Sequence, residues 1–308
     1  MNTNQSSTPE VEVPNTNLKA LAWGVILIVS VPQIIYRLFV PVVPGEPIYS
    51  TWLACVQAVV LTAFWVVTWV WPTVKSLRGF VLVTLAICVG MFIIIPFIKE
   101  TAVWRNWWQQ ASWGVALVVG MLMVHLVLIT LLALTLIGSG IGRRELFLVR
   151  GNPNAPGQPT RLLNMKEPEP WNRIVRTFLP VYIIISLIIM GIQVLPFSRQ
   201  FSQVLIFLPA IVIASAINAF GEEFEFRSMP LVRLEPVFGP GLAIIMAAVM
   251  FGLLHYFGQP GGPFGVLLTG YLGWIAAKSM IETRGFVWAF LIHFVGDFII
   301  YSFLAMLV

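Results

Sequence analysis

The chain has 308 residues, of which 58% are hydrophobic and only 10% charged, with a mean hydropathy of +0.90. Soluble domains carry about 25% charged residues, so a soluble globular fold is excluded and a polytopic membrane protein is expected. The net charge of +5 does not point to nucleic acid, because the basic residues fall in loops between apolar runs.

Met1 to Asn17 are polar and rich in Asn, Ser, Thr and Pro, the composition of a disordered tail. No small-residue cleavage site follows it. Spanning helices need about 20 mostly apolar residues. Such runs occur near residues 20–40, 51–71, 80–98 and 114–137. Cys55 and Cys88 lie inside these runs and read as free buried thiols. Trp104, Trp107, Trp108 and Trp113 form an interface belt. His125, alone in the fourth run, reads as a structural histidine. Gly138 to Asn172 is rich in Gly, Pro and Asn, which mark turns. It reads as a linker held near the bilayer by basic residues, with Glu145–Val149 lying on the membrane surface. Five further runs follow near 177–196, 203–222, 241–257, 263–280 and 286–307.

The fold expected is an all-α, polytopic transmembrane helix bundle of nine spans, or eight if one is split or shallow. Continuous apolar runs exclude a closed barrel, whose strands alternate. The organisation expected is a tail (1–17), an N-terminal four-span block (18–137), the linker (138–172) and a second membrane domain (173–308). With nine spans, one side of the bilayer receives Arg37, Lys99, Arg105 and Arg199, and the other receives the remaining 14 of the 18 Lys and Arg. The rule that basic loops stay inside places the N-terminus and the 138–172 loop in the cytoplasm. The expected location is the plasma membrane of a prokaryote.

Glu222, Glu223, His255, His293 and Asp297 sit in or at the ends of apolar runs. A charge there costs roughly 2.5–3.5 kcal/mol on an insertion scale, so such residues are functional-site hypotheses. Glu223 and Arg227 are four apart and share a helical face, where they can pair. Glu222 lies about 100° around the helix and can face a cavity; a solvated helix end is the alternative. Phe251 lies one turn before His255, and His293 one turn before Asp297. Asp297 can orient the imidazole, or both can point into one cavity. A carboxylate and two imidazoles converging in a dry cavity can deprotonate water and stabilise an oxyanion. Glu222, His255 and His293 are also a conceivable zinc ligand set, although no H-E-x-x-H signature is present. Phe257–Phe264, rich in Gly and Pro, reads as a cavity floor or a tight outer turn. Glu222 and His255 can meet only if the sixth helix runs on through Arg227 towards Val232.

Glu222-Glu223-x-x-x-Arg227, Phe251-x-x-x-His255 and His293-x-x-x-Asp297 resemble, in order, the three motifs of the CAAX prenyl protease and bacteriocin-processing intramembrane endopeptidases. The resemblance covers roughly Trp171 to Val308. It implies an all-helical membrane protease that cuts membrane-associated peptides, prenylated CAAX-type or leader peptides among them. It implies that Glu222 acts with His255 to activate water, and that His293 and position 297 stabilise the transition state. Glu223, Arg227 and Phe251 would support them. The family commonly has Asn where this chain has Asp297, and a carboxylate cannot donate a hydrogen bond unless protonated. The implied partners are membrane lipid and a peptide or lipidated protein substrate. Two other classes stay open. One is a non-catalytic scaffold or immunity-type protein of the same fold. The other is a proton-coupled transporter, which the absence of repeat symmetry ranks last.

Overall fold

The computed structural model describes residues 16–41, 48–198 and 200–308. The expected tail falls almost wholly outside the described residues, as does Arg199; Thr16 and Asn17 already open the first helix. The chain is an all-α bundle, and eight of its helices are long and apolar enough to cross a membrane. In lipid every backbone N–H and C=O must close internally, which long apolar runs do as helices.

The first half holds α1 (Thr16–Phe39), α2 (Thr51–Val70), α3 (Arg78–Val89), α4 (Ile95–Glu100), α5 (Ala102–Gln110) and α6 (Trp113–Leu134). A π-helical turn, Gly90–Ile94, joins α3 to α4. Gln33 and Gln57 bond across α1 and α2 at 2.9 Å, so these buried amides satisfy each other between helices. The tryptophans of α5 pack against one another, and none of that helix is buried. Amphipathic rings on a short, uncovered helix fit an interfacial position. Cys88 is buried as expected, whereas Cys55 is exposed.

The second half holds α7 (Trp171–Val194), α8 (Gln203–Glu223), α9 (Met229–Leu254), α10 (Gly262–Thr283) and α11 (Val287–Ala305). A π-helical segment, Phe224–Ser228, fuses α8 to α9, so helix runs almost unbroken from 203 to 257. One residue interrupts it. Gly239, between Phe238 and Pro240, has φ 75 and ψ 167, a conformation open to glycine and strained for other residues. The chain folds back there. Phe226 packs on Phe251 with ring centroids 5.8 Å apart and Glu222 faces His255 at 3.4 Å; both pairs are equidistant from the Phe238–Gly239 junction. The stretch is therefore an antiparallel helical hairpin, which accounts for two of the nine expected spans. The sixth helix does run on past Arg227, so Glu222 and His255 reach the same depth.

The linker is more than a connector. Leu146 and Phe147 are buried in the main core rather than lying on the bilayer surface. That core draws at once on α1 to α3, α6, α9, α10 and the start of α11. Asn152 N–H donates to Thr283 O at 2.8 Å and Phe286 N–H to Val149 O at 2.9 Å, pinning the linker to the α10–α11 turn. A two-residue antiparallel pairing, Pro156–Gly157 with Glu169–Pro170, closes its far end. The Phe257–Phe264 stretch is a surface turn, not a buried floor, and Phe264 is exposed.

Candidate active site

Three helices bring the sequence-selected residues together. α8 ends on Glu222 and Glu223, α9 on Leu254 next to His255, and the middle of α11 carries His293 and Asp297. The end of α9 is held in place by a close approach to α10. A Cβ on Gly252 would lie 2.6 Å from Val266 O of α10, so the end of α9 rests backbone to backbone on α10. Small residues at such contacts are the usual device of membrane helices.

Glu222 is the hub. Its Oε2 stands 3.4 Å from His255 Nε2 and 3.4 Å from His293 Nε2. That is longer than a good N–H···O bond and leaves the pairs within reach of one bridging water. The side chains of Glu222 and His255 remain 18% and 20% exposed, against 7% and 9% for His293 and Asp297. The two exposed groups form the accessible edge of the cluster, and the others its wall. His255 Nδ1 lies 2.9 Å from Phe251 O, a carbonyl that only accepts. Nδ1 therefore carries the ring hydrogen, and in a neutral ring Nε2 is left as an acceptor towards Glu222.

Glu223 does more than pair with Arg227. Its Oε1 is 2.6 Å from His293 Nδ1 and 3.3 Å from Arg227 Nη2. Asp297, expected to orient His293, stands 3.6 Å from that ring's Nε2. The closer carboxylate is thus Glu223, and it fixes His293 with Nδ1–H inward and Nε2 turned to Glu222. Arg227 is fully buried, with its guanidinium carbon 3.4 Å from the Phe251 ring centroid. The ring also meets His255, centroid to centroid 3.9 Å. Phe251 thus spaces the cation from the imidazole, which explains an aromatic one turn before His255. A cation over a desolvated ring contributes about 2 kcal/mol, and with Glu223 it offsets the desolvation of Arg227.

Two polar residues, Asn218 and Glu225, escaped the sequence reading, and a third, His125 of α6, is the buried, hydrogen-bonded histidine expected but has partners that tie it to the cluster. Its Nδ1 is 2.9 Å from Glu225 Oε1 and its Nε2 3.0 Å from Asn218 Oδ1. Asn218 Nδ2 donates in turn to Asp297 Oδ2 at 3.0 Å. The direction follows from the groups: the Asp297 carboxylate needs a donor, so the amide NH2 faces it. The amide oxygen then accepts from His125 Nε2–H. His125 Nδ1 and Glu225 Oε1, 2.9 Å apart, then share a further proton. The position Asn often holds in the resembling family is an acid here, and the amide it lacks stands opposite on α8. Asn218, Glu222 and Glu225 follow at steps of four and three, one helical face; that spacing was the available signal. The His125 contacts cross between the halves of the chain and left no local trace. Tyr49 is a fourth addition. It lies between α1 and α2 and packs its ring against Phe92 and edge-on to Phe257, and its hydroxyl pKa is pushed up to about 12 by burial and by the charge of Glu222. It is a protonated hydroxyl near the site at neutral pH.

The donor types suit zinc, but among the described residues no group of three or more His, Cys, Asp or Glu is arranged to hold a metal ion. The cluster is laid out for proton handling. It offers an accessible carboxylate between two imidazoles, each ring fixed in orientation through its second nitrogen.

Residues 203–299 match the model of a protein family described as type II CAAX prenyl endopeptidase Rce1-like. That stretch contains all three motifs together with Asn218 and Glu225, though not His125 or Tyr49, and it bears out the resemblance to the CAAX prenyl protease family. Neither the curated proteins nor the solved structures gave a match.

Proposed function

We propose that the protein is an intramembrane endopeptidase that hydrolyses peptide bonds of membrane-associated substrates. The observation carrying this reading is Glu222 Oε2 at 3.4 Å from both His255 Nε2 and His293 Nε2, within a stretch that matches a protease family. A water between Glu222 and His255 gives a proton to that pair as its oxygen attacks the scissile carbonyl carbon. The C=O π electrons move to oxygen, and His293, as an imidazolium held among the Glu222, Glu223 and Asp297 carboxylates, keeps Nδ1–H on Glu223 and donates Nε2–H to that oxyanion. Collapse re-forms the carbonyl and breaks the C–N bond, and the leaving amine takes the proton back from the base. Glu223 and Arg227 keep His293 in position. Asp297, bonded to Asn218, holds the wall of the site instead of donating to the oxyanion.

The substrate class we favour is a lipidated or leader peptide presented from the membrane, because the cluster lies within apolar helices. The 14-to-4 division of basic residues supports a cytoplasmic N-terminus and 138–172 loop, and the membrane we propose is the plasma membrane of a prokaryote. Purified protein in nanodiscs, given internally quenched peptides with and without a C-terminal prenyl group, tests the reading. Glu222→Gln and His255→Gln should each abolish cleavage while the protein melts as the parent does. Full cleavage by either folded variant removes the assignment. Asp297, in place of an amide, favours one rival, a non-catalytic scaffold of the same fold. That rival predicts a binding phenotype that survives both substitutions.

A further inference from the structure

Away from the catalytic cluster, the linker builds a second polar feature. A cavity of about 510 Å³ is lined by Arg143, Arg144, Glu145, Arg150, Gly151 and Arg284, together with Val149. Arg284 is bonded to Glu235 through both terminal nitrogens. Arg143, Arg144 and Arg150 make no side-chain hydrogen bond or ion pair among the described residues. The one carboxylate in the lining, Glu145, is already in use: its Oε2 accepts from Gly142 N–H at 3.0 Å. Three unpaired guanidinium groups therefore share one cavity.

Loop arginines beside a membrane need no ligand when they serve only orientation. What that role does not require is a constructed pocket. Here Leu148 N–H donates to Arg143 O at 2.8 Å and Phe147 N–H to Arg144 O at 3.1 Å. Phe147, at φ 59, is buried in the core and packs beneath the Arg284 guanidinium. Gly151, at φ +64, is pressed so tightly on the α10–α11 turn that a Cβ would lie 2.4 Å from Thr283 O. The backbone carrying the arginines is thus fixed to the ends of two spans, Gly262–Thr283 and Val287–Ala305. That is headgroup depth. Guanidinium forks match phosphate oxygens in pairs, and basic pockets at span ends recognise anionic headgroups.

We propose that this pocket binds the phosphate of an anionic phospholipid headgroup, clamping the linker to the bilayer. The proposal is independent of the endopeptidase reading. The full chain, purified in detergent, is titrated with phosphatidylglycerol and with phosphatidylcholine of the same acyl chains, and bound lipid is counted by native mass spectrometry. One phosphatidylglycerol should be retained in preference to phosphatidylcholine. Arg143→Gln/Arg144→Gln/Arg150→Gln should weaken retention about a hundredfold, the loss expected from three surface guanidinium contacts. Lys75→Gln/Arg161→Gln/Lys166→Gln removes the same charge outside the pocket and should leave retention unchanged. Gly151→Ala keeps every charge, breaks the fit to the α10–α11 turn and should also release the lipid. Equal weakening by both triple variants would mean unspecific surface attraction and overturn the site. No preference between the two lipids would overturn it as well. Displacement of the lipid by millimolar inorganic phosphate would assign the pocket to free phosphate and overturn the lipid source.

Discussion

Gly221 is where the two halves of the chain press hardest on each other near the site. A Cβ added there would lie 2.1 Å from Nδ1 of His125 and 2.3 Å from its Cγ. The imidazole has no room to yield while it keeps Glu225 at 2.9 Å and Asn218 at 3.0 Å. Gly221→Ala must therefore expel the ring and break both bonds. Each buried polar group left unpaired costs about 1–3 kcal/mol, so the expected loss is about 3–5 kcal/mol. Helix propensity acts the other way, since Ala gains about 1 kcal/mol over Gly in a helix interior, and it loses. The decisive assay is a double-mutant cycle by thermal or denaturant unfolding in detergent. With His125→Ala in place the obstructing ring is gone, and Gly221→Ala should cost nothing or stabilise slightly. The same several kcal/mol in both backgrounds would refute the argument, because the cost would then not pass through His125.

Asn218→Leu removes the group that pairs both Asp297 and His125; unfolding should show a loss of about 2–5 kcal/mol at two orphaned partners. Arg227→Ala leaves Glu223 buried without its cation and should cost about 3–5 kcal/mol, whereas Arg227→Met with Glu223→Gln should recover much of that in the same melt. Tyr49→Phe removes the hydroxyl near Glu222 and keeps the ring contacts with Phe92 and Phe257. Stability should stay within about 0.5 kcal/mol while cleavage of the quenched peptide falls; an unchanged rate would place that hydroxyl outside the reaction.

Much of the site could be read along the chain because its motifs are local. Glu223 with Arg227, Phe251 with His255 and His293 with Asp297 are each one helical turn apart, so periodicity alone puts them on shared faces. The same rule run back from Glu222 reaches Asn218, and forward reaches Glu225. What hid these two was chemistry rather than spacing: an amide and one more acid beside a glutamate pair look like a polar helix end. His125 left no such trace, since its partners are roughly a hundred residues away in sequence. Asp297 was expected to orient His293, yet Glu223 is nearer. That ordering depends on how α8 and α11 lean together and is not encoded in the spacing within either helix.

The amino-acid order alone determined that this is a membrane-embedded helical bundle. Apolar length and sparse charge are summed over each segment and need no knowledge of its neighbours. It also determined which ionisable side chains are costly enough to require a purpose. Only packing decided that 203–257 is a hairpin folded at Gly239, which brings Glu222 and His255 to one depth. Only packing decided that α6 completes the cluster through His125, and that linker arginines line a cavity. These depend on distances between segments far apart in the chain. Such distances are set by which small residues let helices touch, a property of pairs of surfaces that no single stretch of sequence carries.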